Sequence, residues 1–411
     1  MFQRPRGTRD FGPTEMARRT ALERLCDEQA ARHGFLRVAT PTFESLDLFT
    51  AKSGDAVVGE LYAFEDKGGR PLTLRPELTA PVMRMVANEM RSVPKPMRLA
   101  YFGSCFRYEE FKTARYREFW QYGCEVVGAS GPLVEAEVVA FAISLMRAAG
   151  VEDWTMKIGH VGILNDLLAG LSVPEGSRRD VMRLLDKGDF AGLTGKGVAE
   201  DAAAKLEAFA SLSGGTDVMQ DARAMLEEMG IATDSLDSLA EMMSSLSGLV
   251  PDMPETTIDL TVSRGLDYYT GTVFEFEVAE LGGECQVLGG GSYRLMHLFD
   301  LDELDPCCGF GLGFDRILIA LEKQAERLGR DEVVPGESAG PGSLAVIPFK
   351  IDSNNVLGLV AGLRASGERV LLELRERNLG RSMGWADSAG AAFALIVGPR
   401  DLEAGEATVK R

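Results

Sequence analysis

Apolar positions along the chain change period several times, and the changes divide it into elements. Residues 14–33, TEMARRTALERLCDEQAARH, place Met16, Leu22, Leu25 and Ala30 among charges as an amphipathic helix does, and Pro13 just ahead suits a first helical turn. GFLRVATPTFE then reads as a strand closed by Pro41. Strand-like runs follow at LYAFED, PLTLRP, MRLAYFGSCFRYEE and REFWQYGCEVVG, with a helical run, LTAPVMRMVANEMRS, among them. Strands in succession with short returns predict an antiparallel sheet rather than alternating βαβ units.

Leu133 to Gly150 predicts a helix, and WTMKIGHVGI a strand entering another. From about Pro174 to Val250 the pattern is helical and polar with no strand candidate, which marks an insertion between two parts of a sheet domain. Strand character returns in TTIDLTV and in TVFEFEV, where Val273, Phe274 and Phe276 stand with Glu275 and Glu277 as on a strand with one wet face. AERLGRDEVVPGESAGPG, Ala325 to Gly342, is charged and bears glycine and proline, so it reads as a linker. Beyond it SLAVIPF, NVLGLVAGLRASG, RVLLEL, NLGRSMGWADSAG and FALIVG alternate strand and helix, as a small α/β domain does.

Composition narrows the class. The 411 residues are 45% hydrophobic and 26% charged, enough for at least one large core. Neither a membrane-length apolar run nor a signal-peptide pattern occurs, so a cytoplasmic protein with no membrane partner is expected. The six cysteines form no CxxC pair and His33, His160 and His297 are far apart, which argues against a zinc site or disulfide framework. The net charge of −18 counts against a polyanionic partner, but it is unevenly spread. Residues from Pro341 onward carry nine bases against eight acids, whereas residues 196–254 carry eleven acids against three bases.

Three stretches hold candidate chemistry. In SCFRYEEFKTARYREFWQYGCEV a strand with Arg107 and Glu109 leads through a loop with Lys112, Arg115 and Arg117 to a return strand, where period two puts Phe119, Gln121, Gly123 and Glu125 on one face. An unpaired buried polar group costs about 1–3 kcal/mol, so that face is either washed by solvent or lines a polar pocket. In CGFGLGFDRILIAL the alternate glycines Gly309, Gly311 and Gly313 precede Arg316 at a helix start, which permits close approach of a flat ligand beside a phosphate-binding or stacking guanidinium. SRGLDYYTG brings Arg264, Tyr268 and Tyr269 to the start of a strand, either as a plain hairpin with tyrosine filler or as a functional cluster.

FRYE with its Arg-rich loop and RYREF, followed far downstream by GFGLGFDR, resembles the second and third signature motifs of class II aminoacyl-tRNA synthetases, and HGFLRVATPTFE resembles the dimer-forming first. LTLRPELTAP, QYGCEVVG, RGLDYYTGTVFEF and LGGGSY are similar to blocks of the histidyl-tRNA synthetase family, of the kind seen in archaea. The likeness runs from Arg6 to Lys410. It implies an α+β fold: a class II antiparallel-sheet catalytic domain over 1–325 with a helical insertion at 170–252, a linker at 326–342 and an α/β anticodon-binding domain at 343–411. The chain stops at ATVKR, where the family usually runs on by another strand or helix, as a truncated module would.

The resemblance also implies an activity: ATP and L-histidine form histidyl-adenylate with release of pyrophosphate, and the acyl group passes to tRNA(His) with release of AMP. Arg107 would hold the α-phosphate, Arg115 the outer phosphates, and Phe119 and Arg316 would sandwich the adenine. Glu77, Thr79 and Gln121 would bind the ammonium and carboxylate region, Glu125 and Tyr269 would read the imidazole, and Tyr268 and Tyr293 would stand nearby. Arg264 would stabilise charge on the α-phosphate in the transition state. Mg2+ would bridge the phosphates with Glu109 as a neighbour and no dedicated protein site, and the enzyme would be a homodimer. Ser292 and Arg294 stand where the family's glycine motif commonly has Arg and Asp, and Ala114 where glycine is common. A paralogous reading, the regulatory subunit of ATP phosphoribosyltransferase, keeps a histidine pocket without making adenylate; Arg264, Arg107, Arg316 and the C-terminal domain tell against it.

Overall fold

A computed structural model describes residues 2–53, 55–108, 116–261, 269–337 and 343–411. The amphipathic N-terminal run forms α1 (Pro13–Arg32), which opens on Pro13 and buries Leu22, Cys26 and Ala30. The strand expected to close at Pro41 is β1 (Leu36–Val38), which joins the main sheet, and β2 (Phe43–Ser45) beyond the proline starts another. Proline offers no amide hydrogen and restricts the residue before it, so the chain changes sheets there. After α2 (Leu46–Ser53), β3 (Tyr62–Glu65) and β4 (Pro71–Leu74) complete a small sheet in the order β2-β4-β3.

The main sheet is built from later segments. α3 (Thr79–Glu89) precedes the hairpin strands β5 (Met97–Phe106) and β6 (Glu118–Val127). α4 (Pro132–Ala149), β7 (Trp154–His160) and α5 (Val161–Gly170) follow. The polar helical stretch forms α6 (Glu175–Asp186), α7 (Glu200–Ala210), α8 (Val218–Glu228) and α9 (Asp234–Leu249), with the two-residue strand β8 (Ser213–Gly214) that its composition did not suggest. Its buried Val181, Leu206, Phe209, Leu226 and Leu246 belong to the same apolar cluster as α4, so the acidic stretch presents its charges outward and shares the main core.

Then come β9 (Thr256–Asp259), β10 (Tyr269–Val278), β11 (Gln286–Tyr293), β12 (Cys307–Gly313) and α10 (Phe314–Leu328). Among the described residues nine strands pair in the order β1-β5-β6-β12-β11-β10-β7-β9-β8, antiparallel except for β1 with β5 and β7 with β9. One face carries Tyr122, Cys124, Val126, Phe274, Phe276, Phe310 and Leu312 into a core with α1, α4 and α10. Period two sends their neighbours, Gln121, Glu125, Gly309 and Gly311 among them, to the opposite face. There a second cluster of α3 with Leu99, Tyr101 and Tyr293 covers one end and leaves the middle open.

α10 runs to Leu328 and ends on left-handed Gly329, past the point where the linker was expected to start. Val334 is buried in the main core, and the Glu337 carboxylate accepts the Val333 and Val334 amides at 3.0 and 3.3 Å and pairs with Arg18 at 3.3 Å. The expected linker is therefore packed up to Glu337, because its apolar Val-Val pair has somewhere to go. The chain divides into units Met1–Glu337 and Ser338–Arg411. The second contains β13 (Ser343–Pro348), α11 (Leu357–Ala365), β14 (Val370–Leu372), α12 (Leu379–Ser388), β15 (Ala391–Val397), α13 (Pro399–Ala404) and β16 (Thr408–Lys410). Its sheet order is β14-β13-β15-β16, and the final ATVKR supplies the antiparallel edge strand.

Candidate active site

A cavity of about 500 Å³ lies on the open face of the large sheet. Strand pairing sets Gly309 opposite Glu125, Gly311 opposite Gly123 and Gly313 opposite Gln121, so the glycine face and the polar face lie side by side. A methyl group at Gly309 would overlap the Glu125 carboxylate and the Cys124 carbonyl, whereas one at Gly311 would stand 3.7 Å from Gln121 Nε2. The missing side chains are what make the cavity deep over Glu125. The polar-pocket reading of the return strand is the one the fold realises: Phe119, Gln121 and Glu125 all line the cavity.

The other expected residues converge on the same place from separate segments. Glu77 and Thr79 come from the start of α3, Arg107 from the end of β5, Tyr269 from β10, Tyr293 from β11 and Arg316 from the first turn of α10. Arg264, Tyr268, Glu109 and Arg115, with Lys112 and Ala114, lie outside the described residues.

At one end Glu125, 1% exposed, accepts the Tyr101 hydroxyl on Oε1 at 2.8 Å and the Tyr293 hydroxyl on Oε2 at 2.6 Å. Burial pushes its carboxyl up to about 7, against the opposing pull of these hydroxyls. Burial and the neighbouring carboxylate raise both phenols as well, so they stay protonated donors. Thr79 Oγ1 lies 3.4 Å from the Tyr101 oxygen, and Glu77 accepts the Thr79 amide at 2.6 Å, which satisfies a free donor at the start of α3. Tyr269, expected beside Glu125, packs edge-on to Tyr293 with ring centroids 6.4 Å apart. The phenol that sequence reading missed is Tyr101, whose role depends on a strand pairing that places Leu99 and Tyr101 beside Glu125 and Gly123.

The opposite end is ionic and more open. Arg107 donates to the Pro76 carbonyl at 3.0 Å, with its guanidinium 5.2 Å from the Phe119 ring centre. Arg316 donates to the Gln286 carbonyl at 2.6 Å and to Glu284 Oε2 at 2.7 Å. Beside it Asp315 accepts Arg9 at 2.6 Å, Arg19 at 2.7 Å and the Trp120 amide at 2.7 Å, joining α10 to the start of β6. Neither Asp315 nor the wall from Gly283 to Val287 was singled out from sequence. That wall includes a turn between strands without periodicity, and LGGECQ beside the glycine block is its one trace.

Ser292 faces the helical layer, where it and Thr272 donate to the buried Glu135 at 2.5 and 2.6 Å, while Arg294 is exposed. The departures from the common glycine motif thus fall outside the cavity lining, and Tyr293 between them falls inside it. Among the described residues no group of three or more His, Cys, Asp or Glu side chains is placed to hold a metal ion, and no helix is long and apolar enough to cross a membrane.

A family model described as Histidyl-tRNA synthetase matches residues 7–317, and one described as Anticodon binding domain matches residues 343–411. The Histidine--tRNA ligase of Archaeoglobus fulgidus is 41% identical over 415 residues, spanning 100% of this chain and 95% of that protein. A solved histidyl-tRNA synthetase from Nostoc sp. PCC 7120 shares the fold with a TM-score of 0.81 at 22% identity, over 100% of this chain and 94% of that one. A structure described as an ATP phosphoribosyltransferase regulatory subunit/histidyl-tRNA synthetase from Bacillus halodurans C has a TM-score of 0.78 at 25% identity, over 97% of this chain and 98% of that one.

Proposed function

The chain belongs to the histidyl-tRNA synthetase family, and we propose that the cavity on its open sheet face is where L-histidine is activated by ATP before transfer to tRNA(His). The observation that carries the reading is the convergence of Glu77, Thr79, Arg107, Phe119, Gln121, Glu125, Tyr269, Tyr293 and Arg316 on one cavity from six segments of chain.

The chemistry needs no nucleophile from the protein. The histidine carboxylate attacks the α-phosphorus of ATP, a new phosphorus–oxygen bond forms, and the bond to pyrophosphate breaks. In the second step a hydroxyl of the tRNA's terminal adenosine attacks the activated carbonyl and AMP departs. Arg107 and Arg264 hold the α-phosphate and offset its growing negative charge, Arg115 takes the outer phosphates, and Phe119 and Arg316 bracket the adenine. Glu125 accepts the imidazole N–H; Tyr269 and Tyr268 complete that end, and Glu77, Thr79 and Gln121 hold the ammonium and carboxylate region. Magnesium would come with ATP and would offset negative charge on its phosphates, with Glu109 as the neighbouring carboxylate and no dedicated protein site. The unit after Glu337 reads the tRNA, the chain pairs as a homodimer through residues 14–50, and it works in the cytoplasm.

The test is histidine-dependent exchange of pyrophosphate into ATP. Exchange is expected with the full chain, and Arg264→Ala should slow it by roughly 10²–10³ while leaving histidine binding near normal. No exchange under conditions where histidine binds would favour a histidine-sensing regulatory subunit instead. An equal loss of binding and rate in Arg264→Ala would remove that residue from the transition state.

A further inference from the structure

We propose that Glu284 is a positioning residue for ATP recognition: it holds the guanidinium of Arg316 in a fixed plane across the nucleotide end of the cavity. The inference rests on the reading of that end as the ATP site. Two bonds from different nitrogens of Arg316, Nη1 to the Gln286 carbonyl at 2.6 Å and Nη2 to Glu284 Oε2 at 2.7 Å, stop the planar group from rotating.

The turn that carries both acceptors is itself anchored. At one end Gln286 Nε2 donates to Glu275 on β10 at 3.0 Å. At the other, Lys323 donates to the Glu280 carbonyl at 2.8 Å, and Arg327 lies 3.7 Å from the Glu280 carboxylate. Arg316, Lys323 and Arg327 are spaced seven and four residues apart, so they share one face of α10, and that basic stripe clasps the turn. Gly282 adopts φ 66°, a conformation that favours glycine and lets the turn fold back toward the helix. Gly283, Glu284, Cys285 and Gln286 then form a wall of the cavity.

A guanidinium stacks well on a base only when its plane is set, and setting it before binding removes an ordering cost from the bound state. The carboxylate also places negative charge at the base end, which disfavours a phosphate there and leaves the phosphates to Arg107.

The test uses full-length protein in the exchange assay. Glu284→Ala should raise the ATP KM about tenfold with the histidine KM unchanged, and Glu284→Gln, which keeps an acceptor oxygen, should raise it less. Glu284→Ala added to Arg316→Lys should cost little beyond Arg316→Lys alone, because the residue acts through that arginine. Penalties that multiply in the double variant, or a histidine KM that rises as much as the ATP KM, would overturn the assignment. Absence of exchange in the unmodified protein would instead strike the ATP reading beneath it, so the two failures are distinguishable.

Discussion

Glu125 and Arg316 sit in the same cavity and are held by opposite means. Each carboxylate oxygen of Glu125 accepts one phenol hydroxyl and the group is 1% exposed, whereas the side chains of Arg316 and its partner Glu284 keep 25% and 20% of their surface. A buried polar end discriminates through what is left unpaired when the wrong side chain enters, which is a steep penalty. A wetter ionic end holds its ligand by charge and stacking, where solvent softens each single contact. Substitutions should therefore hurt most, and most selectively, at the Glu125 end.

The sharpest break is Gly309→Ala. Its methyl group would occupy the space of the Glu125 carboxylate and press on the Cys124 carbonyl, and backbone cannot move aside as a flexible side chain can. Overpacking of this kind costs about 1–3 kcal/mol of stability, and displacing the carboxylate should lower histidine-dependent exchange by roughly 10²–10³. Exchange within a few-fold of the parent protein would mean that the glycine face is not shaped around Glu125.

Glu125→Gln keeps the shape and trades a pure acceptor for a mixed amide. The histidine KM should rise by roughly 10² with the ATP KM little changed, and an equal rise in both would erase the contrast between the two ends. The same variant carries a stability signature. With the folded carboxyl pushed up to about 7 from the ordinary 4.5, the folded chain keeps a proton over that window that the unfolded chain has lost. Stability of the parent protein relative to Glu125→Gln should thus fall as pH rises between those values, by up to about 3 kcal/mol, and level off above. Denaturation midpoints of both proteins at about pH 5 and about pH 8 decide it; a difference independent of pH would place the carboxyl outside that window.

Tyr101→Phe should act more gently. Loss of one hydroxyl donor leaves Glu125 with Tyr293 and Thr79, raises the carboxyl further and moves the alkaline rise of kcat/KM for histidine to higher pH, with about a tenfold loss near neutrality. An unshifted pH profile would make Tyr101 a packing residue.

What could be read from the sequence follows the same division. Period two displayed Phe119, Gln121 and Glu125 on one strand, and alternate glycines marked its neighbour, because both signals are local. Tyr101 escaped because its use comes from lying beside Glu125 across a strand pairing. Asp315 escaped because Arg9 and Arg19 reach it from the other end of the unit, and Glu284 because a turn has no period to betray it. The separate sheet begun after Pro41 and the packed segment before Glu337 were hidden for related reasons: which sheet a short strand joins, and what a valine pair packs against, are tertiary facts.

The smallest effect expected is at Gly311, two residues along the same strand from Gly309 and on the same face. An added methyl group there would stand 3.7 Å from Gln121 Nε2, an ordinary contact, with nothing nearer to displace. Stability should be nearly unchanged, since no atom has to move and a strand tolerates alanine better than glycine. The methyl group would still stand beside Gln121, where the histidine carboxylate meets the α-phosphate, so both KM values should rise by about threefold or less. Put beside Gly309→Ala, the pair asks one chemical change of one strand at two depths. If Gly311→Ala instead lowered exchange as much as Gly309→Ala is expected to, the two depths would not be separate in function, and the contrast between a sealed end at Glu125 and an open end at Arg316 would have to be redrawn.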